Sequence, residues 1–337
     1  METRTEVYRH LIETPDAWTG PGLGGKEALV TLLSDEHLSA IDGLLKKTRH
    51  KKPQEITRAD FDHPVLNKLL ADYYETIMNG RGAVLIRGVT QDRYSAEDFE
   101  RIYWGFGTHW GDAAVQSTRG DRLGHVREEK DNPDARGYRT SAELAYHTDS
   151  YEIVGLMCVE RAESGGYSRL TSTTAIHNEI FKNRPDLLPA LYRGVPHAVL
   201  EARRSAQPVT PYNVPVFSCV DGKVSCLYSR MFMMAAVERT GNDLPAYFAE
   251  ACAYFENLAQ SDEMKLHFIL EPGEMLVWNN FTTLHSRTKF ENSEKHQRDL
   301  LRLWLNVENG RPVVPELFTW ANIYNGLYKD QAVAKAG

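Results

Sequence analysis

Short strand-like segments crowd the part of the chain after residue 140. Apolar and β-branched runs bounded by turn residues predict strands, and two longer stretches, about 175–194 and 245–260, predict helices. Helices do not alternate with strands here, so a parallel βαβ sheet is less favoured than a closed or double-sheet β architecture. The predicted strands are 143–149, 153–159, 169–173, 214–220, 223–228, 266–270, 274–279, 283–288 and 300–307.

The first third of the chain has a different pattern. Residues 1–25 lack periodicity and are interpreted as an irregular arm, whereas 26–50 and 64–79 are helical in pattern. An apolar run between glycines, 82–89, predicts a buried strand, and Ser95 is placed to cap a helix that runs through Trp104. These segments are expected to pack on the β-rich part.

Composition excludes several classes of protein. The 337 residues include 39 Lys and Arg against 46 Asp and Glu, and a net charge of −7 argues against a nucleic-acid partner. No apolar run reaches membrane-spanning length and no signal peptide is recognised, so a cytoplasmic protein without a membrane partner is expected.

The four cysteines form no Cys-x-x-Cys pair. The turn at Asp221-Gly222 predicts a hairpin in which Cys219 and Cys226 are diagonal rather than directly opposite across the two strands, which disfavours a disulfide.

Two His-x-Asp/Glu pairs occur, which is roughly the number that chance would give. Residues i and i+2 share a face on a strand but not on a helix. His147 and Asp149 lie in a strand-like stretch, so both side chains can reach one ion. His177 lies in a segment with helical pattern, and we interpret it as a surface or helix-end residue.

Spacing alone does not identify a third ligand, because the chain has 12 histidines. His285 stands out by its context, at the start of a strand after the break at Asn279-Asn280. Two histidines and one carboxylate are the ligand set of non-heme Fe(II) centres that keep positions open for a cosubstrate and oxygen.

Several short segments appear in the order found in one enzyme family. They are Glu143–Asp149, Ser164–Ser168, Pro272-Gly273-Glu274, Trp278-Asn279-Asn280, Leu284–Arg287 and Arg298–Leu305. Together they resemble the taurine dioxygenase/TfdA-like family of Fe(II)/2-oxoglutarate oxygenases over roughly residues 80–307. The resemblance implies a mainly β fold with flanking helices around a double-stranded β-helix, the cupin-like jelly roll.

The same resemblance implies the cofactors and the residues that hold them. It assigns Fe(II) to His147, Asp149 and His285, and it assigns the C5 carboxylate of 2-oxoglutarate to Arg298 with Ser168. Arg302 matches a family arginine near the cosubstrate or the substrate acid group. O2 is the co-oxidant, and the implied reaction oxidises a small molecule, by default through hydroxylation, with release of succinate and CO2. Because Asp149 is a carboxylate, halogenation is disfavoured.

Substrate contacts follow less directly. If Arg302 is not used by 2-oxoglutarate, it favours an anionic or amino-acid-like substrate. The Met-rich stretch 228–234 is interpreted as core, with a pocket lining as the alternative. The other polar residues expected to border the iron pocket are Gln116, His125, Arg127, Tyr151 and Arg230.

Two other functions stay open at this point: a jelly-roll protein that binds a metabolite without chemistry, and a metal-dependent oxygenase that does not use 2-oxoglutarate. The second leaves Arg298 and Ser168 without a role. We expect one oxygenase domain over 1–337, with an arm and helices at 1–80, the jelly-roll core at 81–310 and an extension at 311–337. The sequence leaves homo-oligomerisation open.

Overall fold

The computed structural model describes residues 6–117, 120–130, 137–198 and 209–317. Helices and sheets are both substantial in this part of the chain, so the fold is mixed. The helices are α1 Gly20–Leu23, α2 Asp35–Thr48, α3 Pro64–Met78, α4 Ala96–Gly107, α5 Thr173–Asn183, α6 Leu188–Arg193, α7 Arg230–Thr240 and α8 Ala246–Gln260, with short 3-10 turns at Lys26–Leu29, Pro53–Glu55, Gly137–Arg139 and Pro185–Leu187.

Fifteen strands are found in the same described residues. They are β1 Val30–Leu32, β2 Ala83–Arg87, β3 Asp112–Ala113, β4 Gly124–Val126, β5 Leu144–His147, β6 Ile153–Glu160, β7 Ser164–Gly165, β8 Ser168–Ser172, β9 Phe217–Val220, β10 Lys223–Cys226, β11 Leu266–Phe268, β12 Met275–Asn279, β13 Thr283–Arg287, β14 Phe290–Glu291 and β15 Asp299–Asn306.

Two sheets form the centre of the molecule. The larger has seven strands in the order β1-β2-β12-β6-β15-β3, with β4 paired to β15 as well. The smaller has four strands in the order β11-β8-β13-β5. Two further pairs, β9 with β10 and β7 with β14, lie outside these sheets.

The alternation of side chains along β15 explains the layers. Leu301, Leu303 and Leu305 belong to a core cluster shared with helices α2, α3 and α4. Leu300 and Trp304, on the other face, belong to a cluster that also contains residues of the four-stranded sheet. The two sheets therefore pack face to face, and one helical layer covers the larger sheet.

The second helical layer covers the smaller sheet. Leu284 of β13 and Tyr146 of β5 pack in a cluster with residues of α5, α6 and α8 and the β9–β10 hairpin. Leu284 faces this helical layer. Because side chains alternate along a strand, Thr283, His285 and Arg287 lie on the opposite, inner face of β13, which is turned toward the larger sheet. Any side chain on this inner face points into the space between the sheets.

Most sequence predictions of elements are confirmed. Each predicted strand has a counterpart, and α4 begins after Ser95, whose hydroxyl accepts from the backbone N–H of Asp98 in a capping box. In the hairpin, Val220 faces Lys223 and Cys219 faces Val224, and all four cysteines are free. A continuous helix over 26–50 is wrong: β1 interrupts it because Val30–Leu32 pair in parallel with β2.

His177 corrects another expectation. The residue does lie in helix α5, but its side chain is fully buried rather than at the surface. Its Nε2 lies 3.0 Å from the hydroxyl of Tyr192, and its ring contacts Phe217 edge-on. Burial lowers the pKa of His177 to about 4, because the charged imidazolium has no solvent around it.

The low pKa of His177 predicts a loss of stability in acid. In the unfolded chain the imidazole binds a proton near pH 6.5, whereas in the folded chain it does so only near 4. Its contribution is therefore complete above pH 6.5 and is lost as the pH falls toward 4. We expect the difference in free energy of unfolding between wild type and His177→Gln to shrink by about 2 kcal/mol between pH 7 and pH 4.5. Urea unfolding at both pH values measures this, and a constant difference contradicts it.

No helix in the described segments is both long enough and apolar enough to span a membrane.

Candidate metal centre

The three predicted ligands meet at one end of the smaller sheet. His147 is the last residue of β5, and His285 lies in the middle of β13 directly across from it in the strand register. Asp149 follows two residues after the end of β5. Strand pairing thus brings together residues that are 138 positions apart in the chain.

The donor atoms are close enough to share one ion. One oxygen or nitrogen from each of His147, Asp149 and His285 lies within 4.8 Å of the other two. His285 Nε2 lies 3.5 Å from Asp149 Oδ2, and His147 Nε2 lies 3.9 Å from Asp149 Oδ1. The three side chains are 19%, 10% and 12% exposed for His147, Asp149 and His285, so they are shielded but reachable from solvent.

The backbone fixes the orientation of one imidazole. His147 Nδ1 lies 2.8 Å from the carbonyl oxygen of Ala145. A carbonyl only accepts, so Nδ1 carries the proton and Nε2 keeps its lone pair directed toward Asp149. Such a hydrogen bond on the far nitrogen is the usual way a protein orients a metal-binding histidine.

Asp149 is held from two sides. The indole Nε1 of Trp304 donates to Asp149 Oδ2 at 2.7 Å. Asn280, fully buried, accepts from the Asp149 N–H at 2.9 Å and donates to the carbonyls of Asp149 at 2.7 Å and Tyr151 at 2.9 Å. Asn280 therefore fixes the backbone that carries the carboxylate, and Trp304 fixes the carboxylate itself.

Electrostatics keep these donors in the forms that bind a cation. Burial lowers the pKa of His147 to about 4, and the neighbouring His285 adds to this. Burial by itself raises the pKa of Asp149, but the contact with His285 and the charge of Arg302 outweigh burial and hold that pKa well below its usual range. Near neutral pH the site thus offers a neutral imidazole at His147 and an ionised carboxylate.

A cavity of about 220 Å³ opens beside the triad. Arg302 enters it between the rings of Tyr138 and Trp304, with its guanidinium carbon 4.3 Å and 4.2 Å from the two ring centres. Arg302 Nε donates to Gln116 Oε1 at 2.7 Å. The described residues of its lining are Gly137, Tyr138, Leu144, Ala145, Tyr146, His147, Thr148, Asp149, Ser150, Ser229, Arg230, Met231, Phe232, Arg302 and Trp304.

Comparison with known proteins identifies the family. The model of the family described as "Taurine catabolism dioxygenase TauD, TfdA family" matches residues 47–304. FR-33289 synthase of Streptomyces rubellomurinus is 30% identical over 305 residues, which cover 86% of this chain and 88% of that protein. The chain belongs to the TauD/TfdA family. It is therefore a non-heme Fe(II)- and 2-oxoglutarate-dependent dioxygenase.

One more distant sequence relative and two solved structures are also similar to this chain. A taurine hydroxylase-like protein, SAT17, of Stachybotrys chartarum is 26% identical over 306 residues, covering 85% of this chain and 77% of that one. Asparagine oxygenase superposes with a TM-score of 0.66 at 16% identity, over 82% of this chain and 93% of that chain. The non-heme iron oxygenase OrfP, solved with iron and α-ketoglutaric acid, gives 0.64 at 12% identity, over 83% and 94%. These likenesses confirm the expected family fold at the level of its packed sheets and helices.

The donor set of this TauD/TfdA dioxygenase fits Fe(II). Two imidazole nitrogens and one carboxylate oxygen lie close together beside the cavity, and a metal held by three such donors keeps further coordination positions open. Bound iron would supply the oxidative chemistry there. The protein contributes the fixed orientation of its donors and a wall that limits the access of water.

Ser168 and Arg298 meet in a second, smaller cavity between the sheets. Both side chains are buried, and Gly165 and Gly166 line the same space. Gly166 has φ +73°, and a Cβ there would approach Arg298 Nε to 3.1 Å, so the glycine makes room for the arginine. Burial, together with the charge of Arg287, lowers the pKa of Arg298 to about 9.

The structure does not bring every predicted substrate residue to the cavity. His125 lies opposite Leu301 in the register of β4 with β15, so its ring is on the face away from the metal centre. Its Nδ1 contacts Asp299 at 2.9 Å, and Arg127 lies 3.6 Å from the same carboxylate. The expectation that His125 and Arg127 border the iron pocket is wrong, because strand alternation turns both away from it.

Three other predicted residues have separate placements. Arg230, the first residue of α7, lines the cavity itself. Gln116 is buried and supports Arg302 rather than facing open space. Tyr151 packs against Trp304 with ring centres 5.6 Å apart. In the Met-rich stretch, Met233 is in the core while the exposed Met231 lines the cavity, so both interpretations hold for part of it.

Sequence reasoning missed the support of Asp149 by Trp304. A signal existed: Leu300, Arg302 and Trp304 alternate along β15 and must share one of its faces. The roles of Tyr138 and Asn280 carried no comparable signal, because they depend on contacts between segments far apart in the chain.

The hydrogen bond from Trp304 to Asp149 predicts a measurable effect on metal binding. Trp304→Phe keeps an aromatic ring beside Arg302 but removes the donor. We expect Fe(II) affinity to fall roughly 10- to 100-fold, as is common when a group that hydrogen-bonds a metal ligand is lost. Anaerobic calorimetry measures the affinity.

Trp104→Phe is the matched control, since the Trp104 indole donates to the carbonyl of Ile56 in the helix-facing core. Equal Fe(II) affinity in wild type, Trp304→Phe and Trp104→Phe would contradict the assigned role of Trp304.

Proposed function

We propose that this dioxygenase hydroxylates a small anionic metabolite, with His147, Asp149 and His285 as the iron ligands and with release of succinate and CO2. The observation that carries the proposal is the triad at the edge of a cavity that Arg302 and Arg230 also line. We further propose that the two packed sheets are the double-stranded β-helix of the family. A single domain over 1–337, with its core at 81–310, remains our prediction.

Charge supports an anionic substrate. Among the described residues that line the cavity, Asp149 is the one with a carboxylate, and in this proposal it is a metal ligand. Arg302 brings a positive charge to the same space, and Arg230 brings a second that Glu256, 4.0 Å away, partly balances. Asp149 and the 2-oxo acid end of 2-oxoglutarate would balance the charge of bound Fe(II), so the arginine charge is what an acidic substrate would meet. A substrate that carries a carboxylate or another acid group would balance part of this charge.

The surroundings of Arg302 support a role in binding rather than in folding alone. Gln116 fixes its Nε, and Gln116 is itself anchored through its amide nitrogen to the carbonyls of Arg122 at 2.7 Å and Arg302 at 2.8 Å. Tyr138 and Trp304 hold the guanidinium plane from two directions. A guanidinium held in this way is organised in advance to receive a planar acid group.

Relatives are consistent with hydroxylation. Asparagine oxygenase has been solved with (2S,3S)-3-hydroxyasparagine and succinate, and OrfP with succinate and (3S)-hydroxy-L-arginine. Both of these bound amino acids carry a hydroxyl group. An amino-acid-like acid is therefore the first substrate class to screen.

Arg298 and Ser168 disfavour a metal oxygenase that works without 2-oxoglutarate. They form a separate buried cavity, and in the described part of the chain no carboxylate lies within 4.0 Å of Arg298. We propose that the distal carboxylate of 2-oxoglutarate is the missing partner. In this arrangement the cosubstrate binds between the sheets and the substrate binds from the mouth of the larger cavity.

A screen of succinate formation tests the proposal. We expect small amino acids and other acids to stimulate succinate formation from 2-oxoglutarate, and their amides or esters not to do so. For an active acid, Arg302→Gln should raise KM roughly 10- to 100-fold, the usual effect of losing a hydrogen bond to a charged group. Asp149→Ala supplies the inactive blank, and Arg193→Gln, an exposed arginine on α6, supplies the matched control.

Stimulation by neutral analogues as strong as by the acids, with no change of KM in Arg302→Gln, would contradict an anionic substrate. Succinate formation that persists in Asp149→Ala would contradict the assignment of the metal ligands.

A further inference from the structure

Arg287 is a buried cation that the site described above does not use. It lies in β13 two residues after His285, so it shares the inner face of the smaller sheet with that histidine. Its Cα is paired in register with Ser168 on β8. Arg287 and Ser168 are therefore neighbours across two strands, and both point into the space between the sheets.

The hydrogen bonds of Arg287 are incomplete. The residue is 5% exposed, and its Nη2 donates to the carbonyls of Thr140, at 2.9 Å, and of Ala142. Its Nε and Nη1 are buried and have no hydrogen-bond partner. No described carboxylate lies within 4.0 Å of the group. Burial of a guanidinium without a counter-charge is unfavourable, so an anion from outside the chain would stabilise it.

Arg287 lies near Arg298, the arginine proposed to bind 2-oxoglutarate. The ring of Phe290 is shared by both, with the guanidinium carbons 4.7 Å and 5.1 Å from its centre. Burial lowers the pKa of Arg287 to about 10, and its charge contributes to the lowered pKa of Arg298. Two buried guanidinium groups that repel each other would both be stabilised by one anion bound to the pair.

We propose that Arg287 is a second guanidinium for the distal carboxylate of 2-oxoglutarate, beside Arg298 and Ser168. A carboxylate has two oxygens and about four acceptor sites, enough for two guanidinium groups and one hydroxyl. The free Nε and Nη1 of Arg287 are the donors left for it. The inference rests on the proposed assignment of Arg298 and Ser168 to the cosubstrate.

The arrangement makes a specific claim about cosubstrate selection. The affinity contributed by Arg287 should depend on the acid group at C5 and not on the 2-oxo acid end, which faces the metal. 2-Oxopentanoate has the same chain length as 2-oxoglutarate and lacks only the distal carboxylate. It is therefore the matched probe, and the two affinities are compared in each variant.

Anaerobic calorimetry on the Fe(II)-loaded full chain measures both affinities without turnover. For Arg287→Gln we expect 2-oxoglutarate to bind roughly 10- to 100-fold more weakly, the range for hydrogen bonds to a charged group. The affinity for 2-oxopentanoate should change less than about threefold. Arg298→Gln should show the same pattern.

Arg169→Gln is the control for loss of an arginine in this sheet. Arg169 follows Ser168 on β8 but points to the opposite face, where its Nη1 donates to Glu143 at 2.6 Å. Both affinities should match wild type in this variant. If Arg287→Gln does not fold, Arg287→Lys replaces it as the test variant. Lysine keeps the positive charge but lacks the planar, multiple donors of a guanidinium, so this variant should bind 2-oxoglutarate roughly five- to tenfold more weakly than wild type does.

The outcomes separate the two proposals. In one outcome, wild type binds 2-oxoglutarate, Arg298→Gln binds it more weakly, and Arg287→Gln or Arg287→Lys binds it as wild type does. Arg287 then has only a structural role, and this inference is overturned. If Arg287→Gln weakens both oxo acids equally, its effect is not on the distal carboxylate and the inference is likewise overturned. If wild type does not bind 2-oxoglutarate, the proposed cosubstrate site fails as well.

Discussion

The metal centre depends on the pairing of β5 with β13. That pairing sets His147 opposite His285, and without it the two imidazoles would have no fixed relation. Asp149 lies beyond the end of β5, so strand pairing does not hold it. Trp304 and Asn280 hold it instead, one on the carboxylate and one on the backbone. The centre thus joins both sheets, since Trp304 comes from the larger one.

Buried charge is the second constraint on this interior. Arg287, Arg298 and Arg302 are all at most 7% exposed. Arg287 lies on the inner face of β13, Arg302 lies on the inner face of β15, and Arg298, directly before β15, lines the smaller cavity. Other buried charges are balanced within the chain: Glu274, for example, is 3% exposed and contacts both Lys26 at 2.7 Å and Arg87 at 2.9 Å. In the function we propose, the arginines between the sheets would instead receive charge from 2-oxoglutarate and an acidic substrate. This contrast links the packing of the sheets to the proposed chemistry.

The local parts of this structure could be predicted from the sequence. Apolar and β-branched runs bounded by turn residues predicted the strands, and the turn at Asp221-Gly222 predicted the register of its hairpin. The period-2 rule for strands predicted that His147 and Asp149 reach one ion; the two donors do meet, although the strand ends at His147 and Asp149 follows it. The resemblance supplied His285, Arg298 and Ser168, which spacing alone did not identify.

Contacts and strand pairings between segments far apart in the chain could not be predicted from the sequence. His125 and Arg127 were expected at the pocket, yet the register of β4 on β15 turns them to the helix-covered face, and no local pattern encodes that register. His177 was placed correctly on a helix but not in the core, because its burial depends on contacts with Tyr192 and Phe217 from distant segments. The Met-rich stretch 228–234 was interpreted as core, with a pocket lining as the alternative, and the start of helix α7 divides its side chains between the two: Met233 lies in the core and Met231 lines the cavity.

We propose that His147, Asp149 and His285 hold iron where 2-oxoglutarate can also bind it. Anaerobic titration of the metal-free protein with Fe(II) and then 2-oxoglutarate, followed by visible spectroscopy, tests this most directly. We expect a metal-to-ligand charge-transfer band in wild type that is lost in His285→Ala and weakened in Arg298→Ala. A band of unchanged intensity in His285→Ala, or no band in wild-type protein shown to contain iron, would contradict it.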